Sequence, residues 1–93
     1  MAIKVNLFYP HLQQFTGGRD TVDVSGSSVG QCLDDLIRQY PALRRNIFDE
    51  QDQLFRFIAI FVNGQSTYKL SSPLAEPVGD GDEISIVLLL AGG

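Results

Sequence analysis

The sequence predicts an α+β domain, one main helix packed on one face of a mixed sheet of four to five strands. Three observations carry that expectation. Strand-like alternation stands at both ends of the chain, in "IKVNLF" and "EISIVLLL". A single helix-length stretch has an apolar stripe, and between it and the last strand lies "RFIAIFV", apolar on both faces.

The first strand places Ile3, Val5 and Leu7 on one side and Lys4 and Asn6 on the other, the two-residue period of a strand with one buried face. "TVDV" repeats the pattern. The intervening "YPHLQQFTGGRD" holds Pro10 and the pair Gly17 and Gly18, so strands one and two are expected to form a hairpin with a long, mobile connection. After Gly26, Ser27 and Ser28 the period changes to that of a helix, with Val29, Cys32, Leu33, Leu36, Ile37 and Tyr40 on one stripe. Ser27 or Ser28 can cap its first turn, and Pro41 forces the preceding residue out of helical geometry. Leu43, Ile47 and Phe48 suggest a short helical turn or packed loop, followed by the exposed "DEQDQ".

The strand "RFIAIFV" ends at Asn63 and Gly64, residues that accept the positive backbone angles of a tight turn. Its β-branched Ile58, Ile60 and Val62 are expected to face the helix, leaving Phe57, Ala59 and Phe61 outside. "GQSTYKLSSPLAEPVGDGD" is turn-rich, with Leu70, Leu74 and Val78 as isolated anchors, and "GDGD" turns tightly into the last strand. That strand puts Ile84, Ile86 and Leu88 on one face and Ser85, Val87 and Leu89 on the other. With this order the first and last strands can lie side by side in the centre, the arrangement of a ubiquitin-like β-grasp. Residues 1–90 form the domain, and residues 91–93 project as a flexible tail.

Composition narrows the chemistry. The 93 residues suffice for one core, and a formal net charge of -4 with seven Lys and Arg argues against a nucleic-acid footprint, which needs clustered cations. The longest apolar run is too short for a membrane span, and no signal peptide is visible. One cysteine excludes an internal disulfide and suits the cytoplasm. Cys32 falls on the helix's apolar stripe beside Asp34 and Asp35, as a buried hydrophobe would, and His11 is read as an ordinary surface residue. The carboxylates of "DEQD" and "DGD" lack the ligand alternation of a calcium loop and are read as turn or solubility residues, so no metal and no bound cofactor are expected. The chain is not read as an enzyme.

Two features remain. Phe57, Phe61, Val87 and Leu89 can form one apolar patch on the outer sheet face, which either loops such as 42–55 cover or a partner docks on. The chain ends "LLLAGG", where a bulky strand gives way to Ala91, Gly92 and Gly93. These three residues extend about 10 Å and carry almost no side chain, so they fit a channel too narrow for most residues. The reactive group would be the Gly93 carboxylate. A carboxylate is a poor acyl donor, so a partner must activate it, as by adenylation with ATP.

The combination of "FVNG", "VGDGDEISI" and the terminal "AGG" resembles the ubiquitin-like β-grasp sulfur-carrier family of the ThiS/MoaD type. The resemblance implies that Gly93 is adenylated by an activating enzyme and converted to a thiocarboxylate, which donates sulfur to a synthase making cysteine, molybdopterin or the thiazole of thiamine. It also implies docking through the outer face. Leu88, Leu89 and Leu90 stand where many molybdopterin-type carriers have prolines, and "RFIAIFVNG" with the long insertion before it is more similar to the carriers serving cysteine biosynthesis. The alternative is a ubiquitin-like modifier joined through Gly93 to lysines of target proteins.

Overall fold

The structure, a computed structural model, describes residues 3–67 and 73–88. Five strands, β1 (Ile3–Leu7), β2 (Thr21–Val24), β3 (Ile58–Val62), β4 (Gln65–Ser66) and β5 (Glu83–Leu88), form one sheet in the order β2-β1-β5-β3-β4. The helices are α1 (Pro10–Gln13), α2 (Val29–Gln39) and α3 (Arg44–Ile47), with 3-10 turns at Gln14–Thr16, Pro41–Leu43 and Pro73–Ala75. β1 and β5 are parallel neighbours, with Leu7 level with Ile86, and the other pairings are antiparallel. This is the β-grasp order anticipated from the sequence.

Alternation decides the faces. Ile3, Val5 and Leu7 of β1, Val22 and Val24 of β2, Ile58 and Ile60 of β3, and Ile84 and Ile86 of β5 all enter the core. There they meet Val29, Cys32, Leu33 and Leu36 of α2, all fully buried. Val62, Leu74, Val78 and Leu88 pack on its margin. The inward face expected for β3 is the one observed.

Local chemistry fixes the helix ends. Ser28 is extended, and its Oγ accepts from the Gln31 N–H at 3.2 Å. In return the Gln31 Oε1 accepts from the Ser27 N–H at 2.8 Å, a reciprocal pair close to a capping box. At the far end Tyr40 has left the helical region (φ -134, ψ 78), as a residue preceding proline must. Gly30 allows the Pro73–Ala75 turn to approach α2, since a Cβ there would lie 3.0 Å from the Leu74 carbonyl oxygen.

The connection between β1 and β2 departs from expectation, being folded rather than a long mobile loop. Pro10 occupies the first turn of α1, where its missing N–H costs nothing, and Leu12 is fully buried. The Gln13 amide donates to the Leu7 carbonyl at 2.6 Å, tying α1 to the end of β1. The segment from Pro41 onward also turns inward: Leu43, Ile47 and Phe48 join the core on the α2 side rather than covering the outer face.

The β3 to β4 turn carries positive φ at Asn63 (51) and Gly64 (83), the pattern of a tight hairpin turn. Asn63 also clasps the start of β5. Its main-chain N–H donates to the Glu83 carbonyl at 2.8 Å, its Oδ1 accepts from the Glu83 N–H at 2.9 Å, and its Nδ2 donates to Asp82 at 3.1 Å.

Two outcomes follow from this packing. Leu36→Ala, at a fully buried position facing the sheet, is expected to cost about 2–5 kcal/mol in urea denaturation with an unchanged m-value. Asp35 accepts from the Ser25 N–H at 3.0 Å and pairs with Arg38, and the Ser25 bond, then Arg38 and Gln39, hold its carboxyl below the usual 3.8. A depressed carboxylate contributes stability above its unfolded pKa and loses it as pH falls through the folded one. Asp35→Asn should therefore be less stable than the parent at neutral pH, with the difference shrinking as pH falls below the usual 3.8 and through the depressed folded pKa when melting is followed against pH.

Candidate functional site

The end of β5 is the geometric centre of the candidate site. β5 lies between β1 and β3, so its final described residue leaves from the middle of the sheet. Leu88 is level with Ile58 on the β3 side, and on the other side its carbonyl accepts from the Tyr9 hydroxyl at 3.4 Å. Leu89, Ala91, Gly92 and Gly93 lie outside the described residues.

Beside this exit stands the outer sheet face. Ala59 is level with Val87, and Phe61 with Ser85. Val87 and Phe61 are half-buried, whereas Phe57 is 45% exposed and stacks on Phe55 with ring centroids 4.9 Å apart and planes 12° from parallel. Strand alternation thus puts Phe61 and Val87 on the outer side of the sheet, whereas Phe57 lies in the turn before β3, stacked on Phe55, which itself packs against the core.

Phe8 was not singled out in the sequence, yet at 59% it is the most exposed large hydrophobic among the described residues. The parallel register ends with Leu7 level with Ile86, and Phe8 follows directly after β1. The signal was present: Phe8 has the outward parity of Lys4 and Asn6.

The titratable residues weighed for chemistry have structural employment. His11 is exposed, with Nε2 at 3.1 Å from Asn46 Oδ1 and Nδ1 at 3.2 Å from the Gln14 amide. Cys32 is buried, and burial followed by the Asp35 charge pushes its thiol up, away from a reactive thiolate. Asp49 accepts from the N–H groups of Gln51 and Gln53 at 2.8 and 3.0 Å. Asp82 accepts from the Gly79 N–H at 2.8 Å, which with the Asn63 amide holds its carboxyl below the usual 3.8. The acidic stretches therefore shape turns. Among the described residues no helix is long and apolar enough to cross a membrane.

Fold and exit together define the class, a ubiquitin-like β-grasp domain that presents its last strand from the sheet centre. Comparison with known proteins specifies it further. The ThiS family model matches residues 7–93. The sulfur carrier protein CysO of Mycobacterium tuberculosis is 33% identical over 84 residues, which cover 88% of this chain and 89% of that protein. Small archaeal modifier protein 1 of Haloferax volcanii is 31% identical over 87 residues, 91% of this chain and 94% of the relative. In the crystal structure of the Amycolatopsis orientalis BexX/CysO complex, one chain superposes with a TM-score of 0.86 at 30% identity, covering 99% of this chain and 100% of that one. The chain belongs to the ThiS family of ubiquitin-like sulfur carriers.

The exposed aromatics separate surface from core. Phe8→Lys is expected to change unfolding free energy by no more than about 0.5 kcal/mol in urea denaturation, because the side chain is largely solvated, whereas Phe57→Lys is expected to cost about 0.5–1.5 kcal/mol through its lost stack on Phe55.

Proposed function

We propose that the chain is a noncatalytic carrier that transports sulfur as a thiocarboxylate on Gly93. The observation that carries this reading is the exit of β5 from the middle of the sheet, with residues 89–93 following and an apolar face alongside. In the first step the Gly93 carboxylate attacks the α-phosphorus of ATP on an activating enzyme, forming an acyl-adenylate and releasing pyrophosphate. A hydrosulfide equivalent then displaces AMP, leaving the thiocarboxylate. ATP is thus a substrate of the partner. Ala91 and Gly92 let the carboxylate pass into a narrow channel, while Phe57, Phe61, Val87 and Leu89 form the face on which activating enzyme and sulfur-accepting synthase dock in turn.

The likeness to the mycobacterial carrier CysO and the leucines at 88–90 favour the branch supplying sulfur for cysteine, in the cytoplasm. A second reading, a modifier joined through Gly93 to target lysines, is favoured by the likeness to Small archaeal modifier protein 1. Both share the activation step and differ in the fate of the acyl group.

Intact mass spectrometry after incubation with the activating enzyme, ATP and sulfide checks the first reading. The expected result is the oxygen-to-sulfur mass gain on the full chain and none after deletion of Gly93. Sulfur transfer that persists without Gly93, or a chain that never gains the mass, sinks it. Conjugates that withstand thiol reductant and boiling would instead establish the modifier.

A further inference from the structure

Leu88 is the last described residue of the central strand, and its carbonyl raises a main-chain question. In a strand paired on both sides, successive residues direct their N–H and C=O groups to opposite neighbours. The Glu83 carbonyl accepts from Asn63 N–H at 2.8 Å, toward the β3 side, whereas the Asp82 carbonyl accepts from Lys4 N–H at 3.2 Å, toward β1. Leu88 shares the parity of Asp82, so its carbonyl faces β1. Advancing two residues at a time from the Lys4 to Asp82 bond, the β1 amide due opposite the Leu88 carbonyl belongs to residue 10. That residue is Pro10, which has no N–H to give.

The neighbouring side chain supplies the donor. Tyr9 is still extended (φ -113, ψ 129), half-buried, and held at the start of α1 by Pro10. Its hydroxyl reaches the Leu88 carbonyl at 3.4 Å, a long hydrogen bond standing where the ladder bond is missing. We propose that Tyr9 is a positioning residue for the sulfur-bearing tail: its hydroxyl fixes the last peptide of β5 and so sets the direction in which the following residues leave the sheet. The inference rests on the tail chemistry proposed above. Residues 89–93 span at most about 17 Å, so the reach of Gly93 is measured from where Leu88 is held. Replacing the main-chain donor by a side-chain one also leaves the sheet edge beside Leu88 free of a continuing β1 strand, because the chain has already turned into α1.

Tyr9→Phe keeps the ring and removes only the hydroxyl, and Tyr40→Phe, another half-buried tyrosine, serves as control. Two measurements are made on the full chain. In the first, without any partner, the carbonyl 13C resonance of Leu88 is expected to move in Tyr9→Phe and to stay in Tyr40→Phe, at unchanged thermal midpoint. In the second, with the activating enzyme, ATP and sulfide, thiocarboxylate formation at saturating carrier is expected to slow about two- to tenfold, as loss of one hydrogen bond predicts, while affinity measured without ATP stays the same. An unmoved Leu88 resonance overturns the anchor, and an unchanged rate in a chain whose resonance has moved overturns the positioning role. A parent chain that never gains sulfur overturns the carrier function instead, and the resonance arm then still decides whether Tyr9 holds Leu88.

Discussion

Most of the structure depends on the position of β5 between β1 and β3. A last strand at the sheet edge would have one row of main-chain groups in solvent and would fray with whatever follows it. Here the strand is bonded on both flanks, parallel to β1 and antiparallel to β3, and Ile84 and Ile86 are fully buried beneath it. Its start is clasped by Asn63 from the β3 to β4 turn, and its end by Tyr9 from the turn after β1. The first and last described strands therefore lie side by side at the centre of the fold. The same constraint explains why the order must be β2-β1-β5-β3-β4: the β1–β2 hairpin grows to one side of the centre and the β3–β4 hairpin to the other.

A five-stranded sheet needs two covers, and the described part of this chain supplies one. With strands about 4.8 Å apart the sheet is some 19 Å wide, and α2, at about 1.5 Å per residue, is of similar length. Together with Leu43, Ile47 and Phe48, α2 seals the inner face. Phe61 and Val87 lie on the outer face, with Phe8 just after β1 and Phe57 in the turn before β3, in a domain where Asp35, Asp49 and Asp82 hold turns and the single thiol is buried. Such a distribution suits a molecule that brings its substrate group to other proteins. On the function proposed above, the chemistry belongs to the tail, and the fold's contribution is to hold Leu88, the last described residue before it.

What could be read in advance was local. The stripe of α2, its Ser28 cap, its stop before Pro41, the Asn63 and Gly64 turn and the inward face of β3 each depend on residues a few positions apart, and sequence spacing encodes them directly. The folding of α1 was not legible, because four residues are too few to display a helical period and Leu12 is a lone apolar anchor whose partners come from distant elements. Phe8 was missed for a different reason: its parity was visible, but its exposure beside the end of β1 depends on the pairing of β1 with β5, strands from opposite ends of the sequence. The Tyr9 contact spans 79 positions and depends on a proline that breaks a ladder, which only the assembled sheet displays.

The sheet edges complete the logic. β2 has its inner main-chain groups on β1, and α2 meets part of its outward side: the Asp23 carbonyl accepts from the Gln39 amide at 2.9 Å, and just beyond the strand the Ser25 N–H donates to Asp35 at 3.0 Å. Side chains that close an edge remove the template on which another strand would pair. The opposite edge, β4, is only two residues long. Among the described residues, a partner that added a strand would find one edge partly closed and the other short. On the function proposed above, recognition falls to the apolar face and to the exit of β5, which adjoin at Val87 and Leu88.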